Sequence, residues 1–348
     1  MTSRAVAAAG QAWPAFLLVC GLLAAGVAAG EDGLFARLGH ALERLPGSSL
    51  TLLAASFALV AAVTAVLNLD TAVVFLTPIL IHAARARGAS EEPFLYGTVL
   101  VANASSLYLP GSNLTNLLVL AHDPLSGSAF AARTLFAALT ASSVTALALL
   151  ALLRFGASDG AGARRAATDE RVPAAGAVVV VMAAVAVVAL RQAALVVLAI
   201  GLAAIALQVL RRRLDARAAV RAIGPVALLA LFALAVALGT LARAWDGPSE
   251  LLAQADRLET AGIGAISSVL VNNLPAAVLL SAHPPAHPVA LLLGLNVGPN
   301  LAPSGSLSVL LWWRAARQVG ARPSLRRYTA LGVAVAPLAI GAALLASA

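Results

Sequence analysis

Three stretches of this sequence, 13–30, 130–153 and 174–190, hold a single charged residue between them, Arg133, which lies near a segment end. Each approaches the ~20 apolar residues that a helix needs to cross a bilayer. A soluble core cannot use so many unbroken apolar runs, whereas lipid-facing helices can. Of the 348 residues, 61% are hydrophobic and 11% charged, and mean hydropathy is +0.93. The sequence therefore predicts an all-α polytopic protein, multi-pass in the cytoplasmic (inner) membrane and solvated by membrane lipid. Residues 1–30 carry one basic residue, Arg4, and no break into a polar mature domain, so they read as a span and not as a cleavable signal.

All 23 basic residues are Arg. Most fall in 31–49, 83–92, 154–172, 211–221 and 314–327; the exceptions are Arg4, Arg133, Arg191, Arg243 and Arg257. The positive-inside rule places the rich segments in the cytoplasm, with the N-terminus, 121–129 and 242–260 outside. The net charge of +8 predicts no nucleic-acid partner, because no basic face carries interleaved aromatics. Cys20 is the only cysteine, which excludes a disulfide framework. His283 and His287 stand four apart, but Pro284, Pro285 and Pro288 forbid the helix that zinc binding at that spacing would use. No metal site is expected. There is no P-loop, so nothing here hydrolyses a nucleotide. Trp312 and Trp313 beside Arg314 read as an interfacial anchor.

The sequence repeats itself in type. Pro14 and Pro225 each open an apolar helix. An amphipathic stretch follows in each half, with Leu34, Phe35, Leu38, Leu42 and Leu45 in one and Leu251, Leu252, Ala255 and Leu258 in the other, which predicts helices lying at the membrane surface. Next come Asn68-Leu69-Asp70-Thr71-Ala72 and Asn272-Asn273-Leu274-Pro275-Ala276, each interrupting an apolar run. Then Asn103…Pro110-Gly111-Ser112-Asn113-Leu114-Thr115 aligns with Asn296…Pro303-Ser304-Gly305-Ser306-Leu307-Ser308. The arginine pattern gives the halves opposite orientation, so the fold expected is two inverted repeats, each with a re-entrant hairpin and a broken transmembrane helix. Repeat one covers 1–155, with its hairpin around 50–82 and its broken helix at 94–120. Basic cytoplasmic loops and two linking helices fill 156–221. Repeat two covers 222–348, with its hairpin at 261–283 and its broken helix at 288–313. The total is about eight spans plus two hairpins. Residues 71–82, like both arms of the second hairpin, are too short to cross, although 50–67 is long enough.

Broken backbone at membrane depth is tolerated only where it is buried in protein or lines a cavity. The four breaks, at 68–70, 110–113, 272–275 and 303–306, bring together Asn, Ser, Thr and Gly, whose neutral oxygens and free amides suit a small inorganic oxyacid or anion. Candidate binding residues are Asn68, Asp70, Thr71, Asn103, Ser105, Ser112, Asn113, Thr115, Asn116, Asn272, Asn273, Asn296, Asn300, Ser304, Gly305 and Ser306. Asp70 stands out as the one carboxylate placed deep in an apolar segment, where it costs ~2.5–3.5 kcal/mol on insertion scales. It is the candidate for proton coupling. The alternative is a protonated Asp that only holds the hairpin turn. A secondary transporter needs no cofactor beyond a coupling ion, H⁺ or Na⁺.

These motifs resemble those of arsenical pump membrane proteins. Asn68-Leu69-Asp70-Thr71-Ala72…Thr77-Pro78-Ile79 is similar to their Asn-x-Asp-x-Ala…Thr-Pro-Ile stretch. Asn103 to Asn116 is similar to their first broken helix, and Asn272 to Ala276 with Gly298-Pro299-Asn300…Pro303 to Trp312 to their second half. The wider group is the ion transporter superfamily, with its sodium-coupled citrate-type dicarboxylate carriers and sodium/proton antiporters. The resemblance implies proton-driven export of arsenite or antimonite, alone or with a soluble arsenite-stimulated ATPase. It further implies a moving transport domain on a scaffold that forms a homodimer. The chain is shorter than that family, and Leu69 stands where a polar residue is common there. An intramembrane enzyme is the remote alternative, but one isolated Asp without a histidine at membrane depth does not make a catalytic constellation.

Overall fold

The computed structural model describes residues 3–122, 125–153 and 175–347, and among these every regular element is a helix. The basic loop expected at 154–172 lies largely outside the described residues. Helix α1 (Ser3–Glu31) leads into the short α2 (Leu34–Glu43). A hairpin of α3 (Ser49–Val66) and α4 (Leu69–Ala86) follows, then α5 (Glu91–Ala104) and α6 (Leu114–Val119), separated by irregular backbone, then α7 (Gly127–Leu153). Between the halves stand α8 (Ala175–Ala189), α9 (Ala194–Leu210) and the amphipathic α10 (Ala216–Ile223). The second half runs through α11 (Pro225–Ala242), α12 (Gly247–Ala253), a hairpin of α13 (Arg257–Val271) and α14 (Asn273–Leu280), then α15 (Pro288–Val297), α16 (Leu307–Gln318) and α17 (Leu325–Ala346).

Among the described residues, six helical stretches are long and apolar enough to cross a membrane: α1, α3, α4, α7, α10 with α11 taken together (216–242) and α17. The expectation of about eight spans plus two hairpins counted differently. Helices α8 and α9 are apolar but shorter, whereas both arms of the first hairpin reach full length. The 71–82 arm was read as too short, yet α4 carries Pro78 inside an 18-residue helix, roughly 27 Å at 1.5 Å per residue. The second hairpin stays short: α14 has 8 residues, about 12 Å. Its first arm starts on a capping box, in which Asp256 Oδ1 accepts from the Glu259 amide (2.8 Å) and Glu259 Oε2 from the Asp256 amide (2.9 Å).

Pro14 does not open α1. The helix begins at Ser3, because the Ala-rich 5–12 stretch favours helix and Pro14 costs only an interior bond. Helix α1 is flanked by α8, α9 and α11. Its contact with α9 is close because a Cβ on Gly201 would lie 2.3 Å from the Gly21 carbonyl oxygen, so only glycine admits it. Helix α2 docks on the first hairpin as well as facing outward: Phe35 and Leu42 are buried, and Phe35 stacks on Phe75 of α4 with ring centroids 4.5 Å apart. In the second half only Leu252 of the amphipathic set is buried, while Leu251 and Leu258 are exposed.

Trp312 is not an interfacial anchor. It is fully buried, donates Nε1–H to the Leu95 carbonyl at 2.7 Å and stands between Tyr96 and Tyr328. Its face of α16 turns inward against α4 and α5. Trp313, one residue on, stays partly exposed under the Arg317 guanidinium at 4.7 Å. The arrangement that creates the site is an exchange of partners: α4 of the first half packs on α16 of the second, and α14 of the second packs on α6 of the first.

Candidate functional site

The first hairpin turns at Asn68, whose extended backbone (φ −174°, ψ 171°) lets Oδ1 accept from the Thr71 amide at 2.7 Å. That cap leaves Asp70 in the first turn of α4, where the helix dipole favours a carboxylate. The second hairpin turns at Asn272, whose φ of 75° and ψ of 150° lie in a region that side chains other than glycine's occupy only under strain. Asn272 Oδ1 accepts from the Leu274 amide at 3.3 Å, and Nδ2 donates to the Ser304 carbonyl at 3.1 Å. Asn273 is buried at the first position of α14.

The two interrupted helices break alike. Leu109 (φ −134°, ψ 157°) and Ala302 (φ −154°, ψ 152°) are extended, a short 3-10 turn follows each, and Asn113 (φ −150°, ψ 141°) and Ser306 (φ −151°, ψ 144°) re-enter helix. Asn113 Oδ1 caps the Thr115 amide and Ser306 Oγ the Ser308 amide. Ser112 Oγ donates to the Ala65 carbonyl at 3.1 Å, and Ser304 Oγ to the Val269 carbonyl at 2.7 Å; each carbonyl lies three residues before a tip asparagine. Gly305 is buried where a Cβ would come within 2.5 Å of Pro299.

Between the breaks runs a buried amide network. Asn296 is its hub: Oδ1 accepts from Asn113 Nδ2 (2.5 Å), Ser106 Oγ (2.7 Å) and Thr115 Oγ1 (3.3 Å), and Nδ2 donates to Asn116 Oδ1 (2.9 Å). Asn103 Nδ2 donates to Asn300 Oδ1 at 2.8 Å, and Asn300 Nδ2 to the Leu100 carbonyl at 3.0 Å. Both polar atoms of Asn296 are engaged, and buried groups bonded in this way fix one arrangement of their partners. Asp70 belongs to a second cluster, where Ser308 Oγ donates to its Oδ1 at 2.6 Å. Among the buried polar atoms without a hydrogen-bond partner are Thr64 Oγ1, Asn68 Nδ2 and Thr71 Oγ1 around the first tip, and Asn103 Oδ1 and Ser105 Oγ at the first break.

The sequence-derived set is thus divided. Asn103, Asn113, Thr115, Asn116, Asn296 and Asn300 meet in the network, Ser306 stands beside Asp70 through Ser308, and Asn272 meets Ser304 at the second tip. Ser106 and Ser308 were missed, although Ser308 aligns with Thr115, and that match was the signal for it. Asp70 is not the only carboxylate withdrawn from solvent. Asp70 is half-buried, whereas Asp32 at the end of α1 is 3% exposed and paired with Arg213 at 3.2 Å. Asp32 escaped notice because Glu31-Asp32-Gly33 reads as a polar turn. His283 and His287 lie in the loop between α14 and α15.

Apolar helices packed around two broken ones, with a polar seam between the breaks, define a multi-pass membrane transporter. The fold is shared with a solved structure described as the Alcanivorax borkumensis YdaH transporter with an unusual topology, at 15% identity and a TM-score of 0.59, covering 99% of this chain and 87% of that one. A search of curated proteins found no match. A family model described as citrate transporter matches residues 1–302. The chain belongs to the citrate transporter family. The match ends just short of Pro303–Gly305 and α16, so the partner of Asp70 lies beyond it.

Proposed function

We propose that this protein is a secondary active transporter of the cytoplasmic membrane that carries a small oxygen-rich anion or oxyacid past the two hairpin tips, with Asp70 exchanging the coupling proton. The observation that carries this reading is the bond from Ser308 to Asp70, which joins a carboxylate of one half to the broken helix of the other. A solute or ion that competes for either group would loosen the two halves, which is the coupling that alternating access requires. The equivalent caps, breaks and hydroxyl-to-carbonyl bonds of the halves, and the exchange of α4 and α14 between them, support an inverted repeat.

The family supports a citrate-type carboxylate as cargo, and Na⁺ in place of H⁺ is the alternative coupling ion. The unpartnered oxygens of Thr64, Thr71 and Ser105 support such a cation, because buried polar atoms ordinarily have partners. An arsenite-like oxyacid is the second reading. The groups bonded across the breaks are amides, hydroxyls, backbone carbonyls and one carboxylate, a set able to hydrogen-bond a neutral hydroxide. Counterflow in proteoliposomes, run with an imposed pH gradient or with Na⁺ and with citrate and arsenite as competitors, separates these. Asp70→Asn is expected to abolish proton-driven uptake; full activity in that variant would overturn the coupling role.

A further inference from the structure

Helices α8 and α9 form a shorter hairpin than their neighbour α1. Gly21, well past the midpoint of α1, packs against Val197 and Leu198 one turn into α9. The turn at 190–193 therefore ends beside Pro14 to Leu18, and the N-terminal part of α1 continues beyond it. The space left over is a cavity of about 300 Å³, at the small end of the range for ligand sites. Its walls are apolar, with Leu18 of α1, Leu117 of α6 and Val187 of α8 among them, and its inner end reaches Pro110 and Asn116.

Gln11 also lines the cavity, but its amide already donates to the Leu118 and Ser281 carbonyls and accepts from Arg243, so the polar groups left over are at the hairpin turn. Arg191 lines the cavity, is exposed, and has no ion-pair or hydrogen-bond partner among the described residues. Gln192 adjoins it, and Ala193 supplies no side-chain cap to the 17-residue α9, so the helix N-terminus adds positive potential to the same spot. A cavity with apolar walls and one free cation fits a ligand with an apolar tail and an anionic head. The rim decides its source. Trp13, Leu190 and Leu195 all line the cavity and all are exposed large apolar residues beside the exposed Arg191 and Gln192, a rim that suits hydrocarbon with a headgroup at its polar part. Asn116 is not free to bind a solute from this side, because its Nδ2 already serves the Ser106 and Leu109 carbonyls and its Oδ1 serves Asn296. The cavity therefore meets the amide network only through a side chain that is already engaged.

We propose that this cavity binds one anionic phospholipid, its phosphate on Arg191 and an acyl chain running between α1 and α6 towards Pro110. The long Arg191 stem lies along apolar surface while its guanidinium reaches the headgroup. Bound there, the chain packs behind the first broken helix and props the backbone that carries Asn113 and Asn116. The proposal holds whatever the transporter carries.

Native mass spectrometry of the full-length protein from mixed phosphatidylglycerol and phosphatidylcholine vesicles tests it. The wild type is expected to retain one phosphatidylglycerol in preference to phosphatidylcholine. Arg191→Gln is expected to lower that retention about fivefold, the scale of one basic residue at a membrane surface. Gly10→Leu is the second variant: Gly10 lines the cavity and has nothing within 4 Å of an added Cβ, so the change adds apolar bulk at the cavity wall where there is open space. It too is expected to expel the lipid. Arg221→Gln, on α10 and remote from the cavity, is expected to retain it. Equal retention by wild type and Arg191→Gln, equal loss in Arg221→Gln, or displacement of the lipid by inorganic phosphate would each overturn the proposal.

Discussion

Ser308 on α16 donates a hydrogen bond of 2.6 Å to Asp70 on α4, across 238 residues of sequence and from one half of the protein to the other. Bonds to a charged group contribute about 1.5–3 kcal/mol, which corresponds to at least about a tenfold effect on a rate or an equilibrium. Ser308→Ala is expected to lower transport by that factor, while Ser308→Thr, which keeps the hydroxyl, retains most activity. In the double variant with Asp70→Asn, the serine substitution should lower the melting temperature no further than Asp70→Asn alone. Additive losses in melting temperature would show that the two side chains are not coupled.

Asn296 holds three donors and one acceptor of the first broken helix. Leucine at this position has a similar size and satisfies none of them. With about 1–3 kcal/mol lost for each buried group left unpaired, Asn296→Leu is expected to give a protein that aggregates on detergent gel filtration. A monodisperse and thermally normal variant would mean that the network adds no stability.

Two glycines of α17 make a matched pair. A Cβ on Gly332 would lie 1.6 Å from the Asn300 carbonyl oxygen, whereas one on Gly341 meets nothing within 4 Å. Gly332→Ala should push α17 off the second break and destroy folding or transport. Gly341→Ala should match or exceed wild-type melting temperature, since alanine favours helix over glycine by about 1 kcal/mol.

The strain at Asn272 gives a fourth experiment. Asn272→Gly removes a backbone cost of about 1–3 kcal/mol together with the bond to the Ser304 carbonyl. Asn272→Ala removes the bond and keeps the strain. The glycine variant is expected to melt above the alanine variant, with transport impaired in both. Equal melting temperatures would place the strain elsewhere.

Asp32 and Arg213 form an ion pair in which the carboxylate is 3% exposed and the guanidinium 44%. Removing the cation alone strands a buried charge, so Arg213→Met is expected to destabilise more than the double variant Arg213→Met with Asp32→Asn. A double variant that melts below the single would show that the pair itself, and not the stranded carboxylate, sets the loss.

The membrane class, the positions of the four breaks and the asparagines at the tips were legible in the sequence. At the breaks an Asn or Ser caps the helix that follows with its own side chain, and that is a local property, whereas single prolines such as Pro14 and Pro78 stay inside helices. What only the tertiary structure decided is which groups face one another. Asp32 is buried because α9 delivers Arg213 beside it, Trp312 points inward because α16 lies against α5, and Ser308 reaches Asp70 because the halves exchange hairpins. Backbone interruption is set by neighbours in the chain. Burial and partnership are set by whichever helix packs alongside, and no spacing within a single helix records that.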